Sequence, residues 1–474
     1  MPKSDVQQVV FEVEKSWRLP DLAPIVPNGG EVRDVSDRGS STYFDTTTGR
    51  LRSLGLTLER RQNDDGVSWF LVLPAGGVQA SLQSRARSHS VPRALARQLA
   101  GVLAGDELVE VASVSTSRAT HRVLASDGEL VVEISDDQLQ GATLGAETQL
   151  SEWREVEIRP GSPADRGVFA GLRKSVRKSG AVRRDDDLSA LDRLLGRSER
   201  VSPDHKLTRL VGTYVSTQCA EILLSDVALR DHSDVASVHR MRVAIRRLRS
   251  VLKAFAGLMH PDTSTFADDV RWVALQLGAI RDLDVLDARI LDAVNALPDV
   301  DLIGPVARHL SETLNARRVR AYDDWQHAWD DERYQRVMAT AARWHLEPPV
   351  SSGARLSAKK VLARSTKRVN VHLAAAGDDP ERLHDARKAA KRLRYVAEVL
   401  TPEAGSAVGV GKRAKRLQTQ LGEHQDAISA AALLDEQGRA AGARADDNGF
   451  SYGLLLAEQR QLAAQALKGL PTRI

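Results

Sequence analysis

The chain predicts an α+β protein of two domains, with a β-rich first half of antiparallel character and an all-α second half. Three observations predict this. Short runs of alternating apolar and polar residues fill the first 200 positions, long runs of 3.6 periodicity fill the remainder, and the second half repeats itself. At 474 residues the chain exceeds the size of one ordinary core.

In the first half Gln8–Trp17 alternates, with Val9, Phe11 and Val13 on one side and Val10, Glu12, Glu14 and Ser16 on the other. Leu54–Arg61, Ser68–Leu73, Leu130–Ser135 and Trp153–Arg159 behave likewise, and turn residues such as Asn63 and Asp64 separate them. Helical patterning predicts Val91–Leu103 and Leu188–Leu195 as helices within this domain, which is expected to span 1–197. From Lys206 the pattern predicts helices at 206–230, 235–259, 264–296, 302–328, 331–345, 355–375, 380–400, 409–437 and 449–468. Gly and Pro mark the joints, and the helical domain is expected over 200–474.

The repeat is specific. His239-Arg-Met-Arg-Val-Ala-Ile-Arg-Arg-Leu-Arg249 aligns with His384-Asp-Ala-Arg-Lys-Ala-Ala-Lys-Arg-Leu-Arg394 at an offset of 145, and Leu277–Asp282 aligns with Leu421–Asp426 at 144. On a helix His239, Arg242, Arg246 and Arg249 form one stripe, flanked by Arg247 and Lys253. His384, Arg387, Lys391 and Arg394 form the same stripe in the second copy, flanked by Lys388 and Arg392. No Asp or Glu occurs from Val235 to Pro261. Each like-charge i,i+4 pair costs roughly 0.2–0.5 kcal/mol, so a basic face kept twice points to an anionic ligand. The alternative is a solvated basic surface. Each histidine has two readings, an imidazolium that donates to phosphate or a neutral ring that caps a turn or bonds a facing carboxylate. Asp282 and Asp426 read as structural partners of the cations.

Bulk composition narrows the classes. Residues 1–200 hold 27 Lys+Arg and 29 Asp+Glu, and residues 201–474 hold 40 and 34, so anion binding must come from local clustering. A single cysteine, Cys219, rules out an intrachain disulfide and a cysteine-built zinc site. The N-terminal stretch lacks a signal-peptide pattern and no segment has the roughly 20 apolar residues of a membrane span. A cytoplasmic location without membrane association is the expectation.

The doubled His-x-x-Arg-x-x-x-Arg/Lys-Arg-Leu-Arg motif, with Leu-Gly-x-x-Arg-Asp-Leu-Asp between, resembles the CHAD family (conserved histidine α-helical domain) over about residues 200–474. The resemblance implies two pseudo-symmetric four-helix bundles that hold inorganic polyphosphate in a basic channel. It implies His239, Arg242, Arg246, Arg247, Arg249, His384, Arg387, Lys388, Lys391, Arg392 and Arg394 as ligand contacts, with no cofactor required, and association with polyphosphate granules. Residues 1–197 resemble the CYTH family, the triphosphate tunnel metalloenzyme fold, an antiparallel β-barrel. Glu12-Val-Glu14-Lys15-Ser16, Tyr43-Phe-Asp-Thr46, Gly55-Leu-Thr-Leu and Trp153-Arg-Glu155-Val-Glu157 carry this likeness. It implies Glu12, Glu14, Glu155 and Glu157 as ligands for Mg or Mn, with Arg61, Arg85 and Arg122 toward phosphate. Arg87, Arg118 and Arg183 are further cation candidates, and Glu133 and Asp136 further acids. The family's cations are replaced at Ser16, Glu59 and Val72, so a weakened tunnel is expected. A divalent-metal triphosphatase or polyphosphatase, supplied with substrate by the helical domain, is the competing reading. Nucleic-acid binding is disfavoured, because single-strand recognition uses aromatic stacking platforms and the basic helices offer only Tyr395.

Overall fold

A computed structural model describes residues 8–64, 66–74, 81–84, 90–145, 147–161, 166–184, 189–196, 206–230, 235–261, 263–351, 355–444 and 447–474. The described residues fall into two compact units: 8–97 with 106–196, and 98–105 with 206–474.

The first unit is built on strands β1 (Val9–Val13), β2 (Glu31–Asp45), β3 (Thr57–Asn63), β4 (Gly66–Val72), β5 (Ser81–Ser84), β6 (Val109–Leu124), β7 (Leu130–Thr143), β8 (Leu150–Pro160) and β9 (Val182–Arg183). They form one sheet in the order β5-β4-β3-β2-β6-β7-β8-β1-β9, and its recorded pairings are antiparallel. Helices α1 (Arg50–Ser53), α2 (Arg93–Leu103), α3 (Arg166–Lys178) and α4 (Ala190–Leu195) complete this part of the chain. One sheet face buries Val9, Phe11, Val13, Val132, Ile134, Val156 and Ile158 against Phe169, Leu172 and Val176 of α3. Period-2 alternation therefore puts the intervening polar residues on the opposite face.

The long strands β2 and β6 differ from the expectation. Both are largely polar or exposed at alternate positions, so an apolar pattern does not mark them; ladder pairing between them through most of their length holds them extended. The first strand is also shorter than Gln8–Trp17. It ends at Val13, and Trp17 N–H turns back to the Glu14 carbonyl at 3.0 Å.

The second unit runs α5 (Lys206–Arg230), α6 (Val235–Ala254), α7 (Thr263–Ala296), α8 (Val306–Ala328), α9 (Glu332–Leu346), α10 (Ala358–Ala376), α11 (Pro380–Leu400), α12 (Ser406–Ala441) and α13 (Phe450–Leu467). The order is four helices, α9, then four more, and α6 with α7 corresponds to α11 with α12 by the sequence repeat. Capping explains several starts: the Asp379 carboxylate accepts from the N–H groups of Glu381 and Arg382, with Pro380 in the first turn. Residues 98–105 belong to this unit, where Gln98 Nε2 donates to the Val227 carbonyl at 3.3 Å. At Gly101 an added Cβ would stand 2.0 Å from Asp226 Oδ2, so only glycine permits the approach. Asp226 is fully buried and accepts from Arg230 Nε at 2.8 Å and from the Tyr334 hydroxyl. No described helix is long and apolar enough to cross a membrane.

Candidate functional site

The two basic stripes of the helical unit share one place. Met241, Ala244, Ile245, Leu248 and Val251 bury the inner side of α6, and Leu383, Ala386, Ala389, Ala390, Leu393 and Val396 bury that of α11. The two helices pack against each other. Their polar stripes then meet at the seam. Lys391 has Arg387 of its own helix and Arg246 and Arg242 of α6 as charged neighbours, and burial together with these charges pushes its ammonium down to about 7. Burial likewise lowers the Arg246 guanidinium, against the favourable contact with Tyr395 and with Arg242 and Arg394 adding to the push. The guanidinium stays charged at neutral pH regardless.

The acids of the repeat hold the rim of this cluster. Arg242 Nη1 donates to Asp282 Oδ1 at 2.8 Å and to the Gly278 carbonyl at 3.3 Å. The repeat-equivalent pair, Arg387 and Asp426, stands at 3.8 Å. Both aspartates thus pair with the cations as expected. The histidines sit at the entrance of each stripe. Burial lowers both imidazoles, helped at His239 by Arg281, Arg246 and Arg242, and at His384 by Lys388, Arg387 and Lys391. A hydrogen bond to Gln425 partly restores the charged form of His384. Arg281 and Gln425 hold equivalent positions in the repeat, so each histidine meets the same place on the partner helix. In the free protein the neutral ring is favoured at neutral pH.

Arg249 and Arg392 lie beyond the central cluster. Their charged neighbours include each other, Lys253, Arg368 of α10, and Arg271 and Asp268 of α7. On the other flank Arg247 and Arg394 converge on Glu398, at 3.2 and 3.4 Å, and both guanidinium groups lie over the Tyr395 ring. Lys388 is drawn to Asp385 at 3.2 Å. Sequence reading did not single out Arg271, Arg368 or Glu398, and it held Arg281 only as a member of the Leu277–Asp282 repeat. They come from other helices or from the acidic minority, and no stripe pattern marks them.

In the sheet unit, cross-strand register puts Glu12 opposite Glu155, Glu155 opposite Asp137, Asp137 opposite Arg118, and Arg122 opposite Glu133. Glu157, Arg61 and Glu59 share that face by alternation. A cavity of about 880 Å³ opens on it, lined among others by Asp37, Tyr43, Glu59, Arg61, Arg118 and Asp137. Its two arginines are each held by a carboxylate, and Asp37 adds a further negative charge. Arg61 clasps Glu59 at 2.8 and 2.9 Å, and Arg118 clasps Asp137 at 2.7 and 2.6 Å. Arg122 meets Glu133 at 2.8 Å and Arg159 meets Glu157 at 2.9 Å. Arg193 of α4 reaches Glu12 at 2.7 Å and Glu155 at 3.5 Å, while Arg184 holds Glu155 at 2.8 Å. Burial keeps the Glu155 carboxyl raised even so, against Arg184 and Arg193.

Three expectations change here. Glu14 lies past the end of β1 in an exposed turn, so it does not share the strand face of Glu12. Asp136 is opposite Val156, on the face of the apolar core, where Arg154 pairs with it at 2.6 Å. Arg183 pairs in register with Phe11 on that same face, and the next residue, Arg184, supplies the charge to Glu155. Arg85 and Arg87 lie outside the described residues. Among the described residues no group of three or more His, Cys, Asp or Glu is arranged to hold a metal. With Glu12, Glu155 and Glu157 each tied to arginine, the residues present do not fit a preformed Mg or Mn site.

Residues 213–435 match the CHAD domain family. Two Mycobacterium tuberculosis proteins described as uncharacterized, MT2285 of strain CDC 1551 / Oshkosh and Rv2226 of strain ATCC 25618 / H37Rv, are each 28% identical and align over 97% of this chain and 94% of theirs. Among solved structures, PptA from Streptomyces chartreusis is similar at 21% identity, covering 56% of this chain and 96% of its own, with a TM-score of 0.45. The CHAD domain from the plant Ricinus communis is similar at 27% identity, with 58% and 96% covered and a TM-score of 0.44. The PH1819 protein from Pyrococcus horikoshii OT3 covers 40% of this chain and 94% of its own, at 14% identity and a TM-score of 0.23.

Proposed function

We propose that the helical unit binds inorganic polyphosphate along the seam between α6 and α11. The observation that carries this reading is the convergence of Arg242, Arg246 and Arg387 around the largely buried Lys391, where the α6 and α11 stripes meet. Gathered cations repel and lose hydration, a cost that a chain of phosphates offsets by accepting charge-assisted hydrogen bonds from several at once. A ligand without bases suits a site whose aromatic ring, Tyr395, is buried beneath two guanidinium groups and offers no stacking platform. His239 and His384 stand where they would gain a proton as phosphate arrives. The CHAD family assignment supports the same ligand class.

A second reading, a metal-dependent triphosphatase in the sheet unit, draws on the carboxylates that share the cavity face. Arginine pairing across that face argues for a closed charge network instead, and the unit is read as a degenerate tunnel. The deciding experiment measures labelled long-chain polyphosphate binding to the full chain by fluorescence anisotropy, with DNA, RNA and tripolyphosphate as competitors. Polyphosphate should compete best and affinity should fall steeply with salt, because each neutralised phosphate releases counterion as in nucleic acids. Equal affinity at low and high salt, or displacement by RNA at lower concentration than by polyphosphate, would overturn the proposal.

A further inference from the structure

The two flanks of the central cluster are equivalent by the sequence repeat but opposite in charge balance. Adding 145 to Arg249, Arg247 and Lys253 yields Arg394, Arg392 and Glu398. One flank therefore joins Arg249 and Lys253 of α6 to Arg392 of α11, and its counterpart joins Arg394 and Glu398 of α11 to Arg247 of α6.

The first flank is cationic throughout. Lys253 lies beside Arg392, Arg368 and Arg249, and Arg392 beside Arg368 and Arg249. Asp268 of α7 acts as the opposing charge on Arg249. Lys253 and Arg368 are exposed and reach solvent. On the second flank Glu398 takes both guanidinium groups, Arg247 at 3.2 Å and Arg394 at 3.4 Å, and accepts from the Tyr214 hydroxyl at 2.9 Å. One hydrogen bond and two ion pairs hold this half-buried carboxylate, and two arginines are thereby drawn away from any anion. A carboxylate placed there also repels phosphate directly.

We infer that the phosphate tract is one-sided: from the central cluster a long polyphosphate continues over Arg249, Lys253, Arg368 and Arg392, while Glu398 closes the flank of Arg247 and Arg394. This rests on the polyphosphate reading above and adds the direction of the chain. Short and long ligands then separate. Tripolyphosphate occupies the central cluster and does not reach Lys253 or Arg368, whereas a long chain uses both regions.

The test uses the full chain, with tripolyphosphate and long-chain polyphosphate titrated calorimetrically at low salt. The double change K253E/R368E, at two exposed positions, should weaken long-chain binding on the order of tenfold and leave tripolyphosphate within twofold. E398Q keeps an acceptor for Tyr214 and removes the charge, so it should tighten long-chain binding severalfold. Equal losses for both ligands in K253E/R368E, or no loss for either, overturn the one-sided tract while the polyphosphate reading stands. Unchanged or weakened long-chain binding in a folded E398Q protein overturns the closure by Glu398. Absence of binding of both ligands to the unsubstituted protein removes the polyphosphate reading itself, and the inference with it.

Discussion

On the polyphosphate reading, Lys391 should make binding depend on pH through one identifiable proton. Its ammonium is held down to about 7 by burial and by Arg387, Arg246 and Arg242, with Asp426 as the opposing charge. Bound phosphate favours the protonated form, so the free protein must first be protonated at this position. At pH 7 about half of the free molecules are competent, and at pH 9 about one in a hundred. The apparent dissociation constant is the intrinsic one divided by that fraction, so it should rise about fiftyfold between pH 7 and pH 9. The slope approaches tenfold per pH unit and stays bounded by one proton. A further gain in affinity at pH below the ordinary imidazole value of 6.5 belongs to His239 and His384, both lowered from it. The assay is anisotropy of a labelled long-chain polyphosphate, whose terminal phosphates, titrating near about pH 6, are a small fraction of the charge. Lys391→Arg keeps the charge without the titration and should flatten the curve from pH 7 to 9. A dissociation constant equal at pH 7 and pH 9, or a Lys391→Arg protein with the original slope, would refute the reasoning.

The same lysine carries a stability prediction of definite sign. Its folded-state value lies below the unfolded value of 10.5, so between about 7 and 10.5 the unfolded chain binds more protons and stability rises with pH. Thermal melts should show a gain from pH 7 to 9 that Lys391→Met diminishes, and polyphosphate should stabilise most at the acidic end. Arg246→Glu and Lys391→Glu should each weaken polyphosphate binding at least about tenfold, and the double change should bring it near background; circular dichroism checks folding, and an untouched affinity would reduce that copy to scaffold. In the sheet unit, triphosphate with Mg²⁺ or Mn²⁺ should be hydrolysed at or near background by the full chain. Glu59 is already clasped by Arg61, and Val72 supplies no cation where the triphosphate-tunnel resemblance expects one, a loss on the order of 10²–10³. Robust metal-dependent release of phosphate that Glu12→Ala eliminates would promote the enzyme reading.

Sequence periodicity alone determined the class of each half, because 3.6-residue and two-residue repeats are imposed by local geometry. The helix limits 206–230 and 380–400 coincide with α5 and α11, where charged ends and Pro380 punctuate the pattern. The repeat likewise exposed the stripes that start at His239 and His384, since i, i+3 and i+4 neighbours share a face whatever the tertiary context. Strands β2 and β6 stayed hidden, because their stability lies in pairing with distant strands rather than in apolar alternation. Long-range packing alone decided how charges are matched. Glu12 meets Arg193 across 181 residues, and Arg247 meets Glu398 across 151, so no local pattern marks either pair. Lys391 and Glu398 lie two turns apart on one helix, yet the first is crowded by cations and the second is wrapped by them. That difference in field comes from the neighbours α5 and α6 bring to each position, and a single helix does not encode it.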